Sequence, residues 1–232
     1  MVIPIHNEIA ILASTIDSML ARLRPLTSSF EIILVENGST DGTRQGALAI
    51  AERCPEVRVI SLPTADYGAA LRAGMAAAVG AAIVNFDIDY WDIAFLRDSW
   101  MLVQHRFDIV IGSKNLRLSW DGRSIGRRLL SQAFRFWLVV VFGLRVTDTH
   151  GIKTWRNSAT LRQLMERVRF DRNLFDTELI LRGQRAGLRI AELPVEVVES
   201  RRSSWGIVER VPRTFLDLIA LRRLLWKERR RA

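Results

Sequence analysis

The chain has 232 residues, 49% of them apolar, which is enough for one domain with a full core. Its single cysteine, Cys54, excludes an internal disulfide and fits a reducing compartment. The net charge of +9 is unevenly placed, because residues 1–113 carry −5 whereas residues 114–145 carry +6 and residues 201–232 carry +7. Both basic segments also carry large apolar residues at helical spacing, which is typical of helices on a membrane surface, so nucleic acid is not the partner we expect.

The first half of the chain alternates predicted strands and helices. Strands are predicted at 2–5, 31–35, 57–62 and 82–86, and helices at 9–23, from 43 to about 54, and at 69–80. Nearly continuous apolar strands separated by helices predict an α/β fold with a mostly parallel sheet covered on both faces. Ligands bind beyond the carboxyl ends of such strands, and the polar clusters 6–8, 36–41 and 87–89 fall there.

The second half carries a predicted strand at 108–112, a long apolar helix at 124–144, a helix at 175–186, an extended edge segment at 189–198 and a basic amphipathic helix at 207–228. The longest apolar run, 136–144, would cover about 14 Å as a helix, whereas a bilayer core needs roughly 30 Å. We therefore expect no segment to cross a membrane. Residues 1–205 are interpreted as one domain and residues 206–232 as a basic C-terminal helix.

The two amphipathic helices at 124–144 and 207–228 are instead expected to lie along an anionic membrane surface. The apolar side chains expected to enter the interface are Phe134, Phe136, Trp137, Leu216, Leu221, Leu224 and Trp226. Basic residues near the C-terminus would meet anionic headgroups. Together with the absence of a recognisable signal peptide, this predicts a peripheral protein on the cytoplasmic side of a membrane.

Asp87 and Asp89 directly follow the predicted strand at 82–86. Side chains alternate along an extended segment, so residues i and i+2 face the same side and both carboxylates can point at one place. Two close carboxylates favour a cation between them, and hard oxygen ligands suit Mg²⁺ or Mn²⁺. The alternative is a pair of solvated loop aspartates, because Asp-x-Asp is common by chance.

Polar residues also follow the first two strands. Glu36 leads into the segment Asn37-Gly38-Ser39-Thr40-Asp41-Gly42, where an acceptor could read a nucleobase or ribose. The alternative is ordinary turn and capping chemistry, for which these residue types are well suited. Asn7 and Glu8 have the same alternative, as a helix cap and as a carboxylate attracted by a helix dipole.

In this order, the motifs resemble the signature of glycosyltransferase family 2. The segments concerned are 2–8, 31–43, 68–74 and 87–89, and the later segments 111–114, 148–151 and 187–195 resemble its dolichol-phosphate mannosyltransferase and polyprenyl-phosphate glycosyltransferase branch. The resemblance covers about residues 1–205. It implies a GT-A (Rossmann-like) fold, a divalent metal, a nucleotide-sugar donor, and inverting transfer of a sugar, mannose or glucose, to a polyprenyl or dolichyl phosphate.

The resemblance also implies roles for individual residues. Contacts with the nucleotide-sugar fall to Pro4, His6, Asn7, Glu8, Glu36, Gly38, Ser39 and Asp87, and the metal ligands would be Asp87 and Asp89. Catalytic roles fall to Asp89, Lys114, Arg127 and Arg128, of which the three cations are candidates for binding the acceptor phosphate. The alternative for these cations is a solvated basic face.

Two departures from the family pattern are visible. Tyr67 stands where a lysine is usual, and Tyr90 and Trp91 follow the Asp-x-Asp pair where the family often has Leu-Gln. These departures favour a second interpretation, a non-catalytic relative that binds a nucleotide or serves as a partner subunit. The intact pair Asp87 and Asp89 favours an enzyme.

The acceptor can also be considered from its chemistry. A phosphate monoester is largely dianionic near neutral pH, with a second pKa of about 6, and needs no strong base to attack a sugar carbon. A hydroxyl acceptor would need a carboxylate base, for which Asp176 and Glu178 are candidates. A basic acceptor site beside an acidic metal site matches the uneven charge of the chain, which favours the phosphate.

Overall fold

The computed structural model describes residues 1–27, 29–114, 116, 125–149, 151–172, 174–196 and 206–230. The strands are β1 (Val2–Ile5), β2 (Ile32–Asn37), β3 (Val57–Leu62), β4 (Ala82–Asn85), β5 (Ile109–Ser113), β6 (Lys153–Arg156) and β7 (Ile190–Pro194). The helices are α1 (Ile9–Leu23), α2 (Thr43–Arg53), α3 (Tyr67–Ala77), α4 (Ile93–Gln104), α5 (Ile125–Phe142), α6 (Ala159–Arg167), α7 (Phe175–Arg185) and α8 (Gly206–Arg229).

The seven strands form one sheet in the order β3-β2-β1-β4-β6-β5-β7. β1 pairs in parallel with β2 and β4, β2 with β3, and β5 with β7, which confirms the predicted mostly parallel α/β architecture. β6 is antiparallel to both of its neighbours, β4 and β5. It was not predicted because its sequence, Lys-Thr-Trp-Arg, has a charge at each end and no apolar run.

Helices cover both faces of the sheet, and the strands divide their side chains between two cores. In β2, Ile33 and Val35 face the core under α3, α6, α7 and α8, whereas Ile32 and Leu34 face the core under α1, α2 and α4. This alternation is the period of a strand that is buried on both sides. Gly74 lets α3 lie directly on the sheet, since a Cβ there would overlap the Val2 side chain.

α8 is partly a core helix, which corrects one prediction. Leu218, Leu221 and Leu225 are at most 2% exposed and belong to the core, so the expectation that Leu221 enters a membrane was wrong. An ion pair of 2.9 Å between Arg182 and Glu228 fastens α8 to α7. The division of the chain at residues 205 and 206 stays a prediction.

Other side chains of α5 and α8 remain exposed. Phe136 and Val140 of α5 are 70% and 65% exposed, and Leu216 of α8 is 67% exposed. Trp137 is half-buried and packs edge-on against Phe142, so it contributes to the core, and the side chain of Phe134 lies outside the described residues. Among the described residues, no helix has both the length and the apolar character needed to cross a bilayer.

Candidate functional site

A cavity of about 520 Å³ opens beyond the carboxyl ends of β1, β2 and β4, where the sequence predicted a ligand site. It is lined by Pro4, Ile5, His6, Glu8, Asn37, Ala65, Asp66, Tyr67, Asp87, Ile88, Asp89, Arg172, Leu174 and Asp217. Five predicted site residues therefore share one cavity: Pro4, His6, Glu8, Asp87 and Asp89. The predicted residues Asn7, Glu36, Gly38, Ser39 and Lys114 are not among its described lining.

The loop after β1 is tied to the loop after β2. His6 Nδ1 donates to the Asn37 carbonyl oxygen at 2.8 Å, which fixes the ring at the cavity wall. Asn7 has a left-handed backbone (φ 56°), a conformation that asparagine tolerates better than most residues, and its Oδ1 accepts from Thr40 N at 2.9 Å. Asn7 therefore joins the two loops, which is the structural alternative to a ligand contact.

The polar loop after β2 is shaped by its own side chains. Glu36 is 2% exposed, and its Oε1 accepts from Ser39 N at 2.6 Å. Ser39 Oγ accepts from Asn7 N at 3.0 Å. Gly38 has φ 67°, and a Cβ there would lie 3.1 Å from the Thr64 backbone. These contacts favour turn chemistry for Glu36, Gly38 and Ser39, and direct contact with a nucleotide stays a prediction for each.

Asp87 and Asp89 lie in a tight turn directly after β4. Asp87 and Tyr90 exchange two backbone hydrogen bonds of 3.1 and 3.2 Å, and both carboxylates of the motif face the cavity. Tyr67 Oη donates to Asp87 Oδ1 at 3.0 Å. Burial, together with the negative charges of Asp89 and Asp176, raises the pKa of Asp87 to about 6, although the Tyr67 hydrogen bond and the Lys153 charge oppose the shift.

The carboxylate oxygens of this turn are ligands that suit a divalent cation. Asp87 and Asp89 both line the cavity and offer carboxylate oxygens, the ligands that Mg²⁺ and Mn²⁺ prefer. The described residues contain no cluster of three or more carboxylate, histidine or cysteine side chains able to hold an ion. The protein would thus supply two carboxylates, and phosphate oxygens and water would supply the remaining ligands.

Two lining residues that the sequence motifs did not indicate, Asp66 and Arg172, connect α3 to the loop before α7 at this cavity. Asp66 caps α3, since its Oδ1 accepts from Ala69 N at 3.0 Å, and the same oxygen accepts from Arg172 N at 2.8 Å. Gly68 allows this approach, because a Cβ there would lie 2.6 Å from Arg172 N. Asp66 could have been found as an N-cap before an Ala-rich helix, but Arg172 has no local signal because it arrives through long-range packing.

Asp217 of α8 is a third lining residue that the sequence did not indicate. Leu221, four residues further on and therefore on the same side of the helix, is fully buried in the core, which turns Asp217 towards the protein rather than towards solvent. Arg172 is the only lysine or arginine among the described residues that line the cavity, against five carboxylates.

A buried ion pair joins β6 to α7. Lys153 Nζ lies 2.8 Å from Asp176 Oδ2, and the two side chains are 1% and 6% exposed. Lys153 Nζ also donates to the Gly151 carbonyl oxygen at 2.6 Å, whereas Asp176 Oδ1 has no hydrogen-bond partner among the described residues. Lys153 is the strand partner of Asn85 in β4, two residues before Asp87, so the pair lies close to the aspartate turn.

Glu178 does not have the surroundings of a catalytic base, which corrects one of the two sequence candidates. It is fully buried, its Oε1 accepts from Arg182 Nε at 2.7 Å, and its Oε2 accepts from Arg169 N and Phe170 N. Oε1 is therefore paired within α7, and Oε2 holds the segment that leads into this helix.

Of the three cations predicted to bind the acceptor phosphate, only Lys114 has a described side chain. Lys114 is 11% exposed and pairs with Asp148 at 2.7 Å, so its charge is already matched inside the protein. Arg127 and Arg128 lie on α5, but their side chains are outside the described residues. A contact of these cations with an acceptor stays a prediction.

Comparison with known proteins identifies relatives of this chain. The sequence profile named Glycosyl transferase family 2 matches residues 1–118. An undecaprenyl-phosphate mannosyltransferase from Micrococcus luteus is 28% identical over 222 residues, which cover 89% of this chain and 88% of that protein. A dolichyl-phosphate beta-glucosyltransferase from Drosophila melanogaster is 30% identical over 218 residues, which cover 85% of this chain but 66% of that longer protein.

Solved structures share the fold. Glucosyl-3-phosphoglycerate synthase from Mycobacterium tuberculosis, in complex with Mn²⁺, uridine diphosphate and glucosyl-3-phosphoglycerate, has a TM-score of 0.68 and 23% identity over 95% of this chain and 78% of that one. A mannosyltransferase from Pyrobaculum calidifontis, in complex with GDP-Man and Mn²⁺, has a TM-score of 0.56 and 20% identity over 86% and 56% of the two chains. At these identities the likeness establishes the GT-A-like fold alone.

Proposed function

Because this chain belongs to glycosyl transferase family 2 and is a glycosyltransferase, we propose that it transfers a sugar, mannose or glucose, from a nucleotide-sugar to a polyprenyl or dolichyl phosphate. The observation that carries the proposal is the cavity beyond β1, β2 and β4, which brings Asp87 and Asp89 together with the loop residues His6 and Glu8. The acceptor class follows the names of the relatives from Micrococcus luteus and Drosophila melanogaster.

Asp87 and Asp89 would hold Mg²⁺ or Mn²⁺ against the diphosphate of the donor. When bound, the ion neutralises the charge that develops on the leaving diphosphate. The turn at Asp87–Tyr90 fixes both carboxylates at the cavity, and His6 and Glu8 form the adjoining wall for the nucleoside. The Mn²⁺ and uridine diphosphate in the structure of the Mycobacterium tuberculosis enzyme support this arrangement.

Neither carboxylate that the sequence offered as a base for a hydroxyl acceptor is placed for that role. Asp176, the remaining candidate base, is not among the described residues that line the cavity, and Lys153 already pairs with it. A phosphate needs cations and correct orientation rather than a base. Arg127 and Arg128 of α5, and Lys114 once released from Asp148, are the proposed cations for this acceptor.

The test is a screen of nucleotide-sugars against a polyprenyl phosphate, with Mg²⁺, Mn²⁺ or chelator, and with hydroxyl acceptors in parallel. Metal-dependent formation of a lipid-linked sugar supports the proposal. Transfer to a hydroxyl acceptor alone would replace it with the alternative acceptor class. Metal-dependent binding of a nucleoside diphosphate without any turnover would instead identify a non-catalytic relative.

Arg172 is proposed to contact a substrate phosphate. Its backbone is held by Asp66, while its guanidinium makes only a loose ion pair of 3.9 Å with Asp66 and is 57% exposed. We expect Arg172→Gln to weaken nucleoside diphosphate binding about 10-fold or more, because a hydrogen bond to a charged group is worth roughly 1.5–3 kcal/mol.

The matched control for Arg172 is Arg53→Gln, which removes the same charge from the end of α2 that faces away from the cavity. Calorimetric titration with UDP and with GDP measures the affinity for the nucleotide part of the donor. The KM for the polyprenyl phosphate measures the effect on the acceptor. An unchanged nucleotide affinity with a raised acceptor KM would reassign Arg172 to the acceptor phosphate. If Arg172→Gln and Arg53→Gln have the same nucleotide affinity and the same acceptor KM, Arg172 contacts neither substrate.

We further propose that the protein docks peripherally on an anionic membrane on its cytoplasmic side through exposed side chains of α5 and α8. Phe136, Val140 and Leu216 are more than 60% exposed, and Arg222, Arg223 and Lys227 are exposed on α8. Each basic residue near such a surface contributes about 1 kcal/mol, and salt screens it. This surface would bring the protein to a lipid-linked acceptor.

Liposome flotation tests this docking surface. We expect binding that requires anionic lipid, decreases with salt, and is lost in the double variant Phe136→Glu/Leu216→Glu. Substitutions are preferable to removal of α8, because Leu218, Leu221 and Leu225 belong to the core. The control is Val79→Glu, at a position that is 82% exposed and lies after α3. Flotation that is indifferent to lipid charge and equal in both variants would refute the surface.

A further inference from the structure

Tyr67 is the first residue of α3, and its phenol is hydrogen-bonded to one of the two aspartates of the proposed metal site. We propose that Tyr67 is a positioning residue that holds the Asp87 carboxylate in the orientation that binds the metal ion. The inference rests on the proposed function, because it presumes a metal at Asp87 and Asp89. It gives a role to a residue that stands where the family usually has lysine.

The backbone around Tyr67 is fixed from three sides. Asp66 N donates to Asn37 Oδ1 at 2.8 Å, which ties the start of α3 to the end of β2. Asp66 Oδ1 accepts from Ala69 N within α3 and from Arg172 N in the loop before α7. The tyrosine ring therefore starts from a rigid point, and this is what an orienting hydrogen bond requires.

The hydrogen bond from Tyr67 gives the two carboxylate oxygens of Asp87 different roles. Tyr67 occupies Oδ1 at 3.0 Å, which leaves Oδ2 to face an ion. The phenol O–H is the donor in this contact, because an ionised carboxylate can only accept. A lysine would bring a positive charge to this position, whereas Tyr67 orients the carboxylate without adding one.

Tyr90 provides a matched control. The chain has two tyrosines, and the Tyr90 hydroxyl is buried without a hydrogen-bond partner among the described residues, although its backbone pairs with Asp87. Tyr67→Phe and Tyr90→Phe thus remove the same atom from the same turn region. Removal of an unpartnered buried hydroxyl is close to neutral, whereas removal of the Tyr67 hydroxyl frees the Asp87 carboxylate to rotate.

The first measurement is Mn²⁺ binding in the presence of UDP and, separately, of GDP. Electron paramagnetic resonance detects the bound Mn²⁺. We expect Tyr67→Phe to weaken Mn²⁺ binding about 10-fold, the lower end of the effect of losing a partner that orients a metal ligand. Tyr90→Phe is expected to stay within about 2-fold of the wild type, since it removes no hydrogen bond. Nucleotide binding in chelator should be equal in all three proteins, because the nucleoside wall is unchanged. A purely structural role for Tyr67 would instead lower nucleotide binding in chelator as well.

The second measurement begins without metal. With ¹³C at the phenol carbon of tyrosine, the protein gives two resonances, one for each tyrosine. Asp87→Asn should shift the Tyr67 resonance more than that of Tyr90, because only the Tyr67 hydroxyl is hydrogen-bonded to this carboxylate. Mg²⁺ with nucleotide should then shift the Tyr67 signal in the wild type.

The outcomes separate this inference from the proposed function. A wild type that binds Mn²⁺ while Tyr67→Phe binds it equally well overturns the positioning role alone. A Tyr67 resonance that ignores Asp87→Asn has the same consequence. A wild type that binds no Mn²⁺ with either nucleotide overturns the metal site and, with it, the role of Tyr67.

Discussion

Asp89→Asn is expected to reduce sugar transfer by about 10²- to 10³-fold, the usual loss when one group that stabilises developing charge is removed. Asp89 is exposed and lines the cavity together with Asp87, so its loss leaves one carboxylate for the cation. The fold should be unaffected, because the side chain is not part of either core. Asp89→Ala should have the same effect. Initial rates at saturating donor, with metal varied, measure the loss.

Asp92→Asn is the matched control for this variant. Asp92 lies three residues further along the chain and caps α4, since its Oδ1 accepts from Ala94 N and Phe95 N at 2.7 and 3.1 Å. Asparagine is also a good N-cap, so this variant removes a nearby charge while it preserves the helix. We expect wild-type transfer from Asp92→Asn. Comparable losses in both variants would mean that local charge, rather than metal binding, carries the effect, and full activity in excess chelator would contradict the metal assignment.

The pair Asp87 and Asp89 could be predicted because its position depends on short-range rules. The apolar strand before it, the helices between strands and the meeting of carboxyl ends at one sheet edge are all visible in the sequence. The structure adds what these rules omit, because the turn at Asp87 and Tyr90 aims the carboxylates and Tyr67 holds one of them. Tyr67 was noticed only as a departure from a pattern, and its partner lies 20 residues away.

Arg172 and Asp217 could not be predicted from local sequence. They reach the cavity because α7 and α8 pack on the same face of the sheet, which is a property of the whole fold. Glu36 shows a different limit, since its place at the end of a strand predicts a ligand contact, which stays a prediction, whereas the structure adds that its carboxylate accepts from Ser39 N and closes the turn. A strand end specifies where a polar residue lies, but not whether its side chain turns outwards or back to the chain.

α4 and β6 were missed for different reasons. α4 has a usable signal, because Asp92 stands before an apolar segment as an N-cap. β6 has none, since charged residues are rarely buried in a strand and here Lys153 is 1% exposed. Only the distant Asp176 makes that burial possible, so the strand and its ion pair cannot be inferred from either residue alone.

The largest stability effect is therefore expected at this pair. Lys153→Met should lower the free energy of unfolding by about 3–5 kcal/mol, because it leaves the Asp176 carboxylate buried without its counter-charge. Asp176 Oδ1 already lacks a hydrogen-bond partner, so within the described part of the chain no second donor to this oxygen offsets the loss. Asp176→Leu should be similarly costly, since the Lys153 ammonium would then be unpaired. Urea unfolding followed by tryptophan fluorescence measures both.

The double variant Lys153→Met/Asp176→Leu distinguishes charge from packing. Replacing both members of a buried pair with apolar residues of similar volume is often neutral or stabilising, so we expect it to recover most of the stability lost in either single variant. A double variant as unstable as the single ones would show that the shape of the site, not the uncompensated charge, sets the cost. Transfer by the double variant should be impaired less than transfer by Lys153→Met, because the double variant removes the Asp176 charge that raises the pKa of Asp87 together with the Lys153 charge that lowers it. Wild-type transfer by Lys153→Met would separate this pair from the catalytic cavity.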